Sequence, residues 1–417
     1  MAAADAGFRV LDLFSGAGGL GEGFRQAGYQ VKLGLDFDDE ACRTHQLNHP
    51  QVKVLCTDVR EVSGADLLAE AGLAEADVII GGPSCQGFST QGRRGAWASD
   101  DDPRNLLYRE YARLVGDLRP EWFVMENVPG LLWYNRGAFG RRIFAAFERQ
   151  GYHVEHKIVL AADYGVPQLR RRLLIVGNRV GATLRWPRQS HMGAVRRDAI
   201  ALWERRRLEQ YPHLAPHRTL WDAISDLPPI PADGGQEERP YPDVTRTEYQ
   251  ELMRDGSPVL YDHRSPPLPA VHYNLIKHVK EGQTWREIPR ELLPERFAKI
   301  RRTDGTNLFA RPERSRPSYT IITQFGNVTT GAYTHPLQDR ALSAREGARI
   351  QSFPDWYRFT GSLSSKYRQI GNAVPPLLAR TIAEALSRTI TGVPEPQLPP
   401  GPDGESSAAQ LELFAAG

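Results

Sequence analysis

The chain has 417 residues, of which 41% are hydrophobic and 24% charged, and its 52 Lys and Arg residues balance 50 Asp and Glu residues to a net charge of +2. This composition excludes a disordered chain and a small disulfide-dependent scaffold, and the length fits two to three domains or one large domain with an insert. Because the net charge is near zero, any argument for a polyanionic partner must rest on local clusters. The sequence has neither an apolar run of membrane-spanning length nor a signal-peptide pattern, so we expect a cytoplasmic protein without a membrane partner.

The three cysteines, Cys42, Cys56 and Cys85, have neither disulfide-like nor metal-ligand spacing. An odd number of cysteines in a long chain favours a reducing compartment. The sequence therefore predicts neither a disulfide framework nor a metal site.

Short apolar runs alternate with amphipathic stretches over the first 179 residues, a pattern typical of an α/β domain built around a largely parallel sheet. The predicted strands are Phe8–Phe14, Val31–Phe37, Val54–Asp58, Asp77–Gly82, Trp122–Asn127, Tyr152–Ala161 and Arg172–Asn178. The predicted helices between them are Gly19–Gly28, Asp38–His49, Asn105–Leu118 and Phe139–Gln150. Gly28 and Gly151 stand where helix C-caps require glycine.

From about Gly181 the sequence becomes rich in Pro and Arg and loses its periodicity, which predicts a separate irregular unit of roughly 120 to 150 residues. Helical patterning returns at Ser343–Phe353 and at Pro375–Ile390, where two prolines suit a helix start. The last residues, 391–417, are rich in Pro, Gly, Ser and Ala and are predicted to be disordered.

A glycine-rich loop follows the first predicted strand. Gly16, Gly18 and Gly21 have the spacing G-x-G-x-x-G between a strand and a helix, which lets the backbone approach a ligand and present free N–H groups. Asp36, twenty residues after Gly16, and Asp58 end the next two strands. A carboxylate at such a strand end can bind the hydroxyls of a ribose, so we expect a nucleoside-containing cofactor. The loop alone does not distinguish NAD from S-adenosylmethionine.

Four further residues carry candidate chemistry. Cys85 lies in a Gly/Pro-rich loop directly after an apolar strand, a position that suits either a nucleophile or a plain loop cysteine. Glu126 ends a buried strand, as either an ion-pairing group or an acid with a raised pKa. Arg170 and Arg172 lie on one side of an extended chain, where they face one anionic or carbonyl-bearing target or form a solvated basic cluster.

Five motifs in this order resemble those of bacterial DNA cytosine-5 methyltransferases. They are DLFSGAGG at 12–19, PSCQGFS at 83–89, MENV at 125–128, QLRRR at 168–172 and QIGNAVPP at 369–376. The resemblance spans Val10 to about Arg380 and implies a Rossmann-like class I methyltransferase sheet of seven mostly parallel strands with a smaller, irregular target-recognition domain. The implied domains are a catalytic domain at 1–180 and 336–390, a target-recognition domain at 181–335 and a disordered tail at 391–417.

The resemblance implies that a methyl group passes from S-adenosylmethionine to C5 of a cytosine flipped out of a specific double-stranded DNA sequence. Cys85 is then the nucleophile that adds to C6, Glu126 holds and protonates N3, Arg172 donates to O2, and Arg170 steadies the loop and a phosphate. The residues that match cofactor contacts are Phe14, Gly16, Ala17, Gly18, Asp36, Phe37, Asp58, Val59, Leu107, Asn372 and Val374. The sequence departs from the family pattern at Ser84, where Pro is commoner, and at Phe37, where the family often has Trp.

The resemblance also implies a monomer that acts in restriction–modification or phage defence and associates with the nucleoid when it acts on DNA. Its partners are then double-stranded DNA and a cognate restriction endonuclease or other defence-system proteins. Three alternatives remain: an RNA cytosine-5 methyltransferase, a binding protein with an inactive site, and an NAD-dependent dehydrogenase. The long insert favours DNA over RNA, the intact Cys85, Glu126, Arg170 and Arg172 favour an active enzyme, and a dehydrogenase would explain only the glycine loop.

Overall fold

The computed structural model describes residues 7–84, 107–193, 209–242, 244–298 and 307–394. The chain divides into two units. The sheet unit comprises Met1–Gly165, Arg171–Pro216 and Val374–Gly417, and the irregular unit comprises Val166–Arg170 and His217–Ala373. The chain therefore leaves the sheet unit twice and returns to it for its last helix.

The sheet unit contains a seven-stranded sheet in the described part of the chain. Its strands are β1 (Arg9–Leu13), β2 (Gln30–Asp36), β3 (Lys53–Cys56), β4 (Val78–Gly81), β5 (Trp122–Asn127), β6 (His153–Leu160) and β8 (Arg171–Asn178), whereas β7 (Gln168–Leu169) belongs to the irregular unit. The order across the sheet is β3-β2-β1-β4-β5-β8-β6, and among these strands β8 alone runs in the direction opposite to the others. Because β8 opposes β5, the first residues of β8 lie at the carboxyl end of β5.

Strands β4 and β5 are buried along their whole lengths. Continuous apolar runs of this kind are typical of strands in the middle of a sheet that is covered on both faces. In the core, the Phe123 ring lies 4.3 Å from that of Phe147 and 5.1 Å from that of Tyr152, measured between ring centroids. These contacts join β5 to the helix Ala138–Glu148 and to the residue just before β6, and they stabilise the centre of the sheet.

The helices of the sheet unit are α1 (Gly19–Gln26), α2 (Asp39–Asn48), α3 (Gly64–Ala71), α4 (Leu107–Leu118), α5 (Gly130–Trp133), α6 (Ala138–Glu148) and the last helix, α13 (Pro376–Thr391). Helix α13 packs against α1. Gly23 makes this approach possible, because a Cβ at that position would lie 2.4 Å from the Cβ of Ala379. The predicted glycine caps are confirmed, since Gly28 and Gly151 have φ angles of 87° and 86°.

The irregular unit consists of short elements. Its helices are α7 (Leu220–Ile224), α8 (Glu248–Arg254), α9 (Ala270–Ile276), α10 (Glu295–Ala298), α11 (Ala344–Ile350) and α12 (Leu363–Asn372). Its strands form two small pairs, β11 (Gly235–Arg239) with β12 (Leu260–Arg264) and β7 with β13 (Ser318–Tyr319), while β9 (His191–Met192) and β10 (Ala215–Pro216) pair within the sheet unit. Every residue of α11 is buried, including Arg345, Glu346 and Arg349.

The predicted fold class is confirmed, and each predicted strand is present with its ends shifted by no more than two residues. The sequence interpretation missed α3, α12 and the short helices α5 and α7 to α10. Helix α3 has a readable signal, because Ser63 and Asp66 form a capping box at its start. Residues 395–417 of the predicted disordered tail lie outside the described residues, and the predicted domain boundaries stay a prediction. Within the described ranges, no helix has the length and apolarity needed to cross a membrane.

Candidate active site

The glycine-rich loop turns sharply between β1 and α1. Phe14, Gly16 and Gly18 have left-handed φ angles of 58°, 52° and 88°, and the backbone N–H of Ser15 donates to the carbonyl of Leu35 at 2.9 Å. No described atom lies within 4 Å of where a Cβ on Gly16 would be. The loop is thus fixed to β2 and leaves open space beside Gly16, as the binding of a ligand against the backbone requires.

Asp36 joins the end of β2 to this loop. Its Oδ2 accepts from the backbone N–H of Gly16 at 2.8 Å and its Oδ1 from that of Asp38 at 2.9 Å. Burial raises the pKa of the Asp36 carboxyl, and these backbone hydrogen bonds oppose the rise. The lone pairs that these N–H groups leave free can still accept from a ribose hydroxyl. The neighbouring Phe37 ring is 75% exposed and offers an apolar face to a ligand.

His45 supports the glycine loop, and the sequence interpretation missed it. Its Nδ1 lies 3.3 Å from the Ser15 hydroxyl. Gly34 makes room for the imidazole, since a Cβ there would lie 2.5 Å from Cε1 of His45. Burial lowers the pKa of His45 to about 4, so the ring is neutral at pH 7. A histidine on an amphipathic helix gives no distinctive sequence signal, which is why the pattern did not identify it.

Asp12 is a second residue that the interpretation passed over, although it lies inside the first motif. Its fully buried carboxylate accepts from the backbone N–H of Gly21 at 3.1 Å, and its Oδ1 has no hydrogen-bond partner among the described residues. Burial raises the pKa of Asp12 well above its ordinary value, and the charge of Asp36 raises it further. Asp12 thereby ties the first turn of α1 to β1.

Three more predicted cofactor residues also lie in the sheet unit. Asp58 follows β3 and accepts from the backbone N–H and Nε of Arg60 at 3.0 and 2.9 Å. These hydrogen bonds, chiefly those from the Arg60 side chain, lower the pKa of Asp58 to about 2. Val59 is buried, and Leu107 begins α4 and packs against the core. Their contacts with a cofactor stay a prediction.

Glu126 and Arg172 are brought together at the carboxyl end of β5. Arg172 Nε lies 2.6 Å from Glu126 Oε1, and the two side chains are 12% and 11% exposed. Burial lowers the pKa of the Arg172 guanidinium, and the Glu126 carboxylate opposes this shift. The pair is largely removed from water and still reachable, an arrangement that lets a bound molecule exchange hydrogen bonds with both groups.

The loop that leads to Cys85 begins beside this pair. A Cβ at Gly82 would lie 3.2 Å from Glu126 Oε2, and the Asn127 side chain donates to the carbonyl of Pro83 at 2.9 Å. The chain therefore leaves β4 next to the carboxylate. Cys85 itself lies outside the described residues, and its role as nucleophile stays a prediction.

The Arg170 guanidinium has hydrogen-bond partners of its own. Its guanidinium donates to the carbonyls of Ile321, Gly371 and Ala373 at 2.8, 3.2 and 2.9 Å, all within the irregular unit. These contacts give Arg170 a structural task there, and the predicted phosphate contact stays a prediction.

The last two predicted cofactor residues belong to different units. Asn372 ends α12 of the irregular unit and is exposed, whereas Val374 begins the last segment of the sheet unit and is buried. Their contacts with a cofactor stay a prediction.

Comparisons with known proteins identify one family. The model of the family described as C-5 cytosine-specific DNA methylase matches residues 8–388. The Type II methyltransferase M.AgeI of Thalassovita gelatinovora is 35% identical over 92% of this chain and 100% of its own length. The Type II methyltransferase M.DdeI of Desulfomicrobium norvegicum is 35% identical over 91% of this chain and 88% of its own.

A solved structure agrees with these relatives. It is of a DNA modification methyltransferase encoded within a prophage of E. coli, has a TM-score of 0.69 and 25% identity, and the match covers 92% of this chain and 99% of that one. The family match includes every residue predicted above to bind cofactor or take part in catalysis.

Proposed function

Because this chain belongs to the C-5 cytosine-specific DNA methylase family, we propose that it transfers a methyl group from S-adenosylmethionine to C5 of a cytosine in double-stranded DNA. The observation that carries this proposal is the Glu126–Arg172 pair beside the loop to Cys85. A carboxyl group and a guanidinium held together at a sheet edge suit a pyrimidine ring, which has a nitrogen and a carbonyl oxygen next to each other.

The proposed chemistry assigns one task to each side chain. The Cys85 thiolate adds to C6 of cytosine, and negative charge develops over N3, O2 and C5. Glu126, in its protonated form, donates to N3 while Arg172 donates to O2, and both lower the energy of the addition. S-adenosylmethionine supplies an electrophilic methyl group. Once C5 is bonded to the methyl group, it loses its proton to a base, the C6–S bond breaks, N3 returns its proton to Glu126, and the thiolate is restored.

The glycine loop and its neighbours fit S-adenosylmethionine. The space beside Gly16 admits a ligand against the backbone, Asp36 has acceptor capacity left for a ribose hydroxyl, and the exposed Phe37 ring offers a stacking face for adenine. Asp58 is a weaker candidate, because Arg60 already occupies its carboxylate.

Covalent trapping tests the proposed reaction. On duplex DNA that carries 5-fluorocytosine at the target, the wild-type protein with S-adenosylmethionine should form a denaturation-resistant adduct at Cys85, because fluorine is not eliminated as a proton is. Cys85→Ser should form no adduct and yield no methylation while still binding the cofactor. Methyl transfer by Cys85→Ser at a rate close to wild type would refute the nucleophile assignment.

Bisulfite sequencing of DNA from a host that expresses the protein gives the second readout, because it reports activity and target sequence together. Methylation of RNA substrates with none in duplex DNA would instead favour the RNA alternative. In the DNA reaction, we propose that the cytosine leaves the stack, at a cost of a few kcal/mol that a fitted pocket offsets.

We place recognition of the target sequence in the segment from Gly181 to Arg301, because the catalytic and cofactor motifs lie outside it and sequence must be read by contacts to base edges. Exchanging this segment for that of a relative should change the methylated sequence and leave the chemistry intact. A chimera that folds, methylates DNA and keeps the original target would locate recognition elsewhere.

The biological setting is also proposed from the relatives. M.AgeI and M.DdeI are Type II methyltransferases, which supports a place in restriction–modification with a cognate endonuclease as partner, acting in the cytoplasm on nucleoid DNA. A restriction endonuclease encoded beside this protein, with cleavage blocked by the methylation that bisulfite sequencing maps, would establish that setting.

A further inference from the structure

Two cysteines on different secondary-structure elements lie beside Asp36, the residue whose carboxylate accepts a hydrogen bond from the glycine loop. Cys42 lies on α2, and Cys56 ends β3 opposite Asp36 in the sheet register. The Cys42 thiol donates to the carbonyl of Asp36 at 3.4 Å, and the backbone N–H of Thr57, next to Cys56, donates to the same oxygen at 3.0 Å. Burial raises the pKa of the Cys42 thiol, and the neighbouring Cys56 side chain raises it further.

The two thiols differ in their access to solvent. Cys56 is exposed, whereas Cys42 is only 5% exposed. Burial raises the pKa of the Cys42 thiol, which keeps it protonated and slow to react with a dissolved oxidant. An exposed cysteine with a buried cysteine against it has the arrangement of a thiol that is oxidised first and a second thiol that resolves the product.

We propose that Cys42 and Cys56 are a modification site, at which a hydroperoxide converts the two thiols into a reversible disulfide. The Cys56 thiolate attacks the peroxide, the O–O bond breaks, and Cys56 becomes a sulfenic acid while the released hydroxide or alkoxide takes up a proton. The Cys42 sulfur then attacks the Cys56 sulfur, the S–O bond breaks, and the Cys42 proton leaves with the hydroxide as water. The two sulfurs together lose two electrons, which the peroxide gains, and a dithiol reductant reverses the change.

The position of the pair connects this oxidation to the ligand site. Disulfide formation removes the S–H donor from the Asp36 carbonyl and draws α2 towards the end of β3. The Asp36 carboxylate accepts a hydrogen bond from the backbone N–H of Gly16, and Asp58 lies two residues after Cys56 in the sequence. Oxidation therefore disturbs the groups proposed to hold the ribose, and weaker binding of S-adenosylmethionine is the expected result. This consequence rests on the proposed function, whereas disulfide formation does not.

The full chain with Cys85→Ser is the protein to test, because it retains Cys42 and Cys56 as its two cysteines. After treatment with hydrogen peroxide, intact-mass measurement should show the loss of two hydrogens, and peptide mapping should join the peptides that contain Cys42 and Cys56. Dithiothreitol should restore the original mass. The matched control adds Cys56→Ser, a change at an exposed position, and should show no loss of hydrogens.

Calorimetry on the same samples measures the effect on ligand binding. The oxidised protein should bind S-adenosylmethionine about three- to tenfold more weakly than the reduced protein, the effect of roughly one lost hydrogen bond. The Cys56→Ser control should keep its affinity after peroxide treatment.

The outcomes separate the two proposals. Peroxide treatment that leaves Cys56 as a sulfenic or sulfinic acid without a cross-link would overturn the disulfide site. A cross-link with unchanged affinity would overturn the coupling to the cofactor site. A protein that forms the cross-link on peroxide treatment, but does not bind S-adenosylmethionine even when reduced, would overturn the proposed function and leave the disulfide site standing.

Discussion

Two groups of charged side chains in this protein have opposite surroundings. At the carboxyl end of β5, Glu126 and Arg172 form one ion pair with about a tenth of each side chain exposed. In the irregular unit, Arg349 is fully buried and contacts two carboxylates, with hydrogen bonds of 2.9 and 2.6 Å to Asp355 and a further contact to Asp226. Its remaining capacity is taken in part by the carbonyl of Ala223 at 3.0 Å.

The difference shows how two properties distinguish charged residues that stabilise the fold from those that can bind a substrate. These properties are burial and the number of hydrogen-bond positions already filled by the protein. A buried guanidinium with two carboxylates has no position left for a ligand, and removing it leaves uncompensated charge in the interior. An ion pair at the end of a strand is open to solvent on one side, so each of its two groups can exchange its hydrogen bond to the other for one to a substrate. The Glu126–Arg172 pair should therefore affect turnover, and the buried network should affect stability.

The largest expected effect is on catalysis by Glu126→Gln. The amide keeps the shape of the side chain and cannot transfer a proton, so kcat should fall by about 10²- to 10⁴-fold. Single-turnover transfer of labelled methyl groups to DNA measures this change, and the unfolding temperature should remain close to wild type. Glu148→Gln, at an exposed position on α6, is the matched control. A Glu126→Gln protein with near-normal kcat would show that the pair is structural.

The next effect is on stability in the irregular unit. Arg349→Met removes the guanidinium that Asp226 and Asp355 share and leaves them Arg254 and Arg345 as their remaining cations. Because one partner of a buried ion network is lost, the free energy of unfolding should fall by about 3 to 5 kcal/mol in chemical denaturation.

The exposed pair of Arg43 with Asp39 provides the control, because Arg43→Ala should cost less than about 1 kcal/mol. A loss as small as that of the control would mean that the buried network contributes little.

A smaller effect concerns pH. The His45 pKa is about 4 in the folded protein, below its ordinary value of 6.5. Between these values the unfolded chain binds a proton that the folded protein does not. The contribution of neutral His45 to the free energy of unfolding is complete above pH 6.5. It is lost as the pH falls towards 4, by at most about 3 kcal/mol.

Denaturation at pH 7.5 and pH 5 measures this loss, and His45→Gln should remove the share of it that His45 contributes. His263 of the irregular unit, whose pKa burial also lowers to about 4, should contribute a similar share, so His263→Gln should reduce the dependence in the same way. If His263→Gln alone flattened the dependence, the buried histidine of the sheet unit would not be its source.

The smallest effect is on cofactor affinity. Phe37→Ala should weaken S-adenosylmethionine binding by about tenfold, since stacking on an aromatic face contributes about 1 to 2 kcal/mol. Stability should hardly change, because the ring is 75% exposed. Phe37→Trp keeps the stacking face and should bind at least as well in calorimetry. Equal affinities for all three proteins would place the adenine elsewhere.

Much of the sheet unit could be predicted, because alternating apolar runs and amphipathic stretches mark buried strands and covering helices directly. The irregular unit resisted prediction. The helical pattern at Ser343–Phe353 was recognised, but this helix carries Arg345, Glu346 and Arg349 at fully buried positions, and a pattern that assigns charged residues to the surface cannot predict such burial.

For the candidate site, the sequence indicated polar residues at the ends of strands. It did not indicate which of these side chains contact each other. Glu126 and Arg172 each appeared as a polar residue beside a buried strand, and nothing in their local sequences says that they pair. Arg170 was expected on the same side of the chain as Arg172, and which groups it would bind was left open; the structure gives it hydrogen bonds within the irregular unit. Its partners lie far along the chain, which spacing cannot reveal.

The sequence by itself determined the family, the sheet and the glycine loop, because these depend on local periodicity, turn chemistry and short motifs. The tertiary structure alone decided that Glu126 pairs with Arg172 and that Cys42 meets Cys56. Both meetings depend on which strands become neighbours: β8 runs antiparallel against β5 and carries Arg172 to the end of that strand, and β3 joins the edge of β2 with Cys56 beside Asp36. Strand pairing is set by the packing of the whole sheet, so a local stretch of sequence cannot specify it.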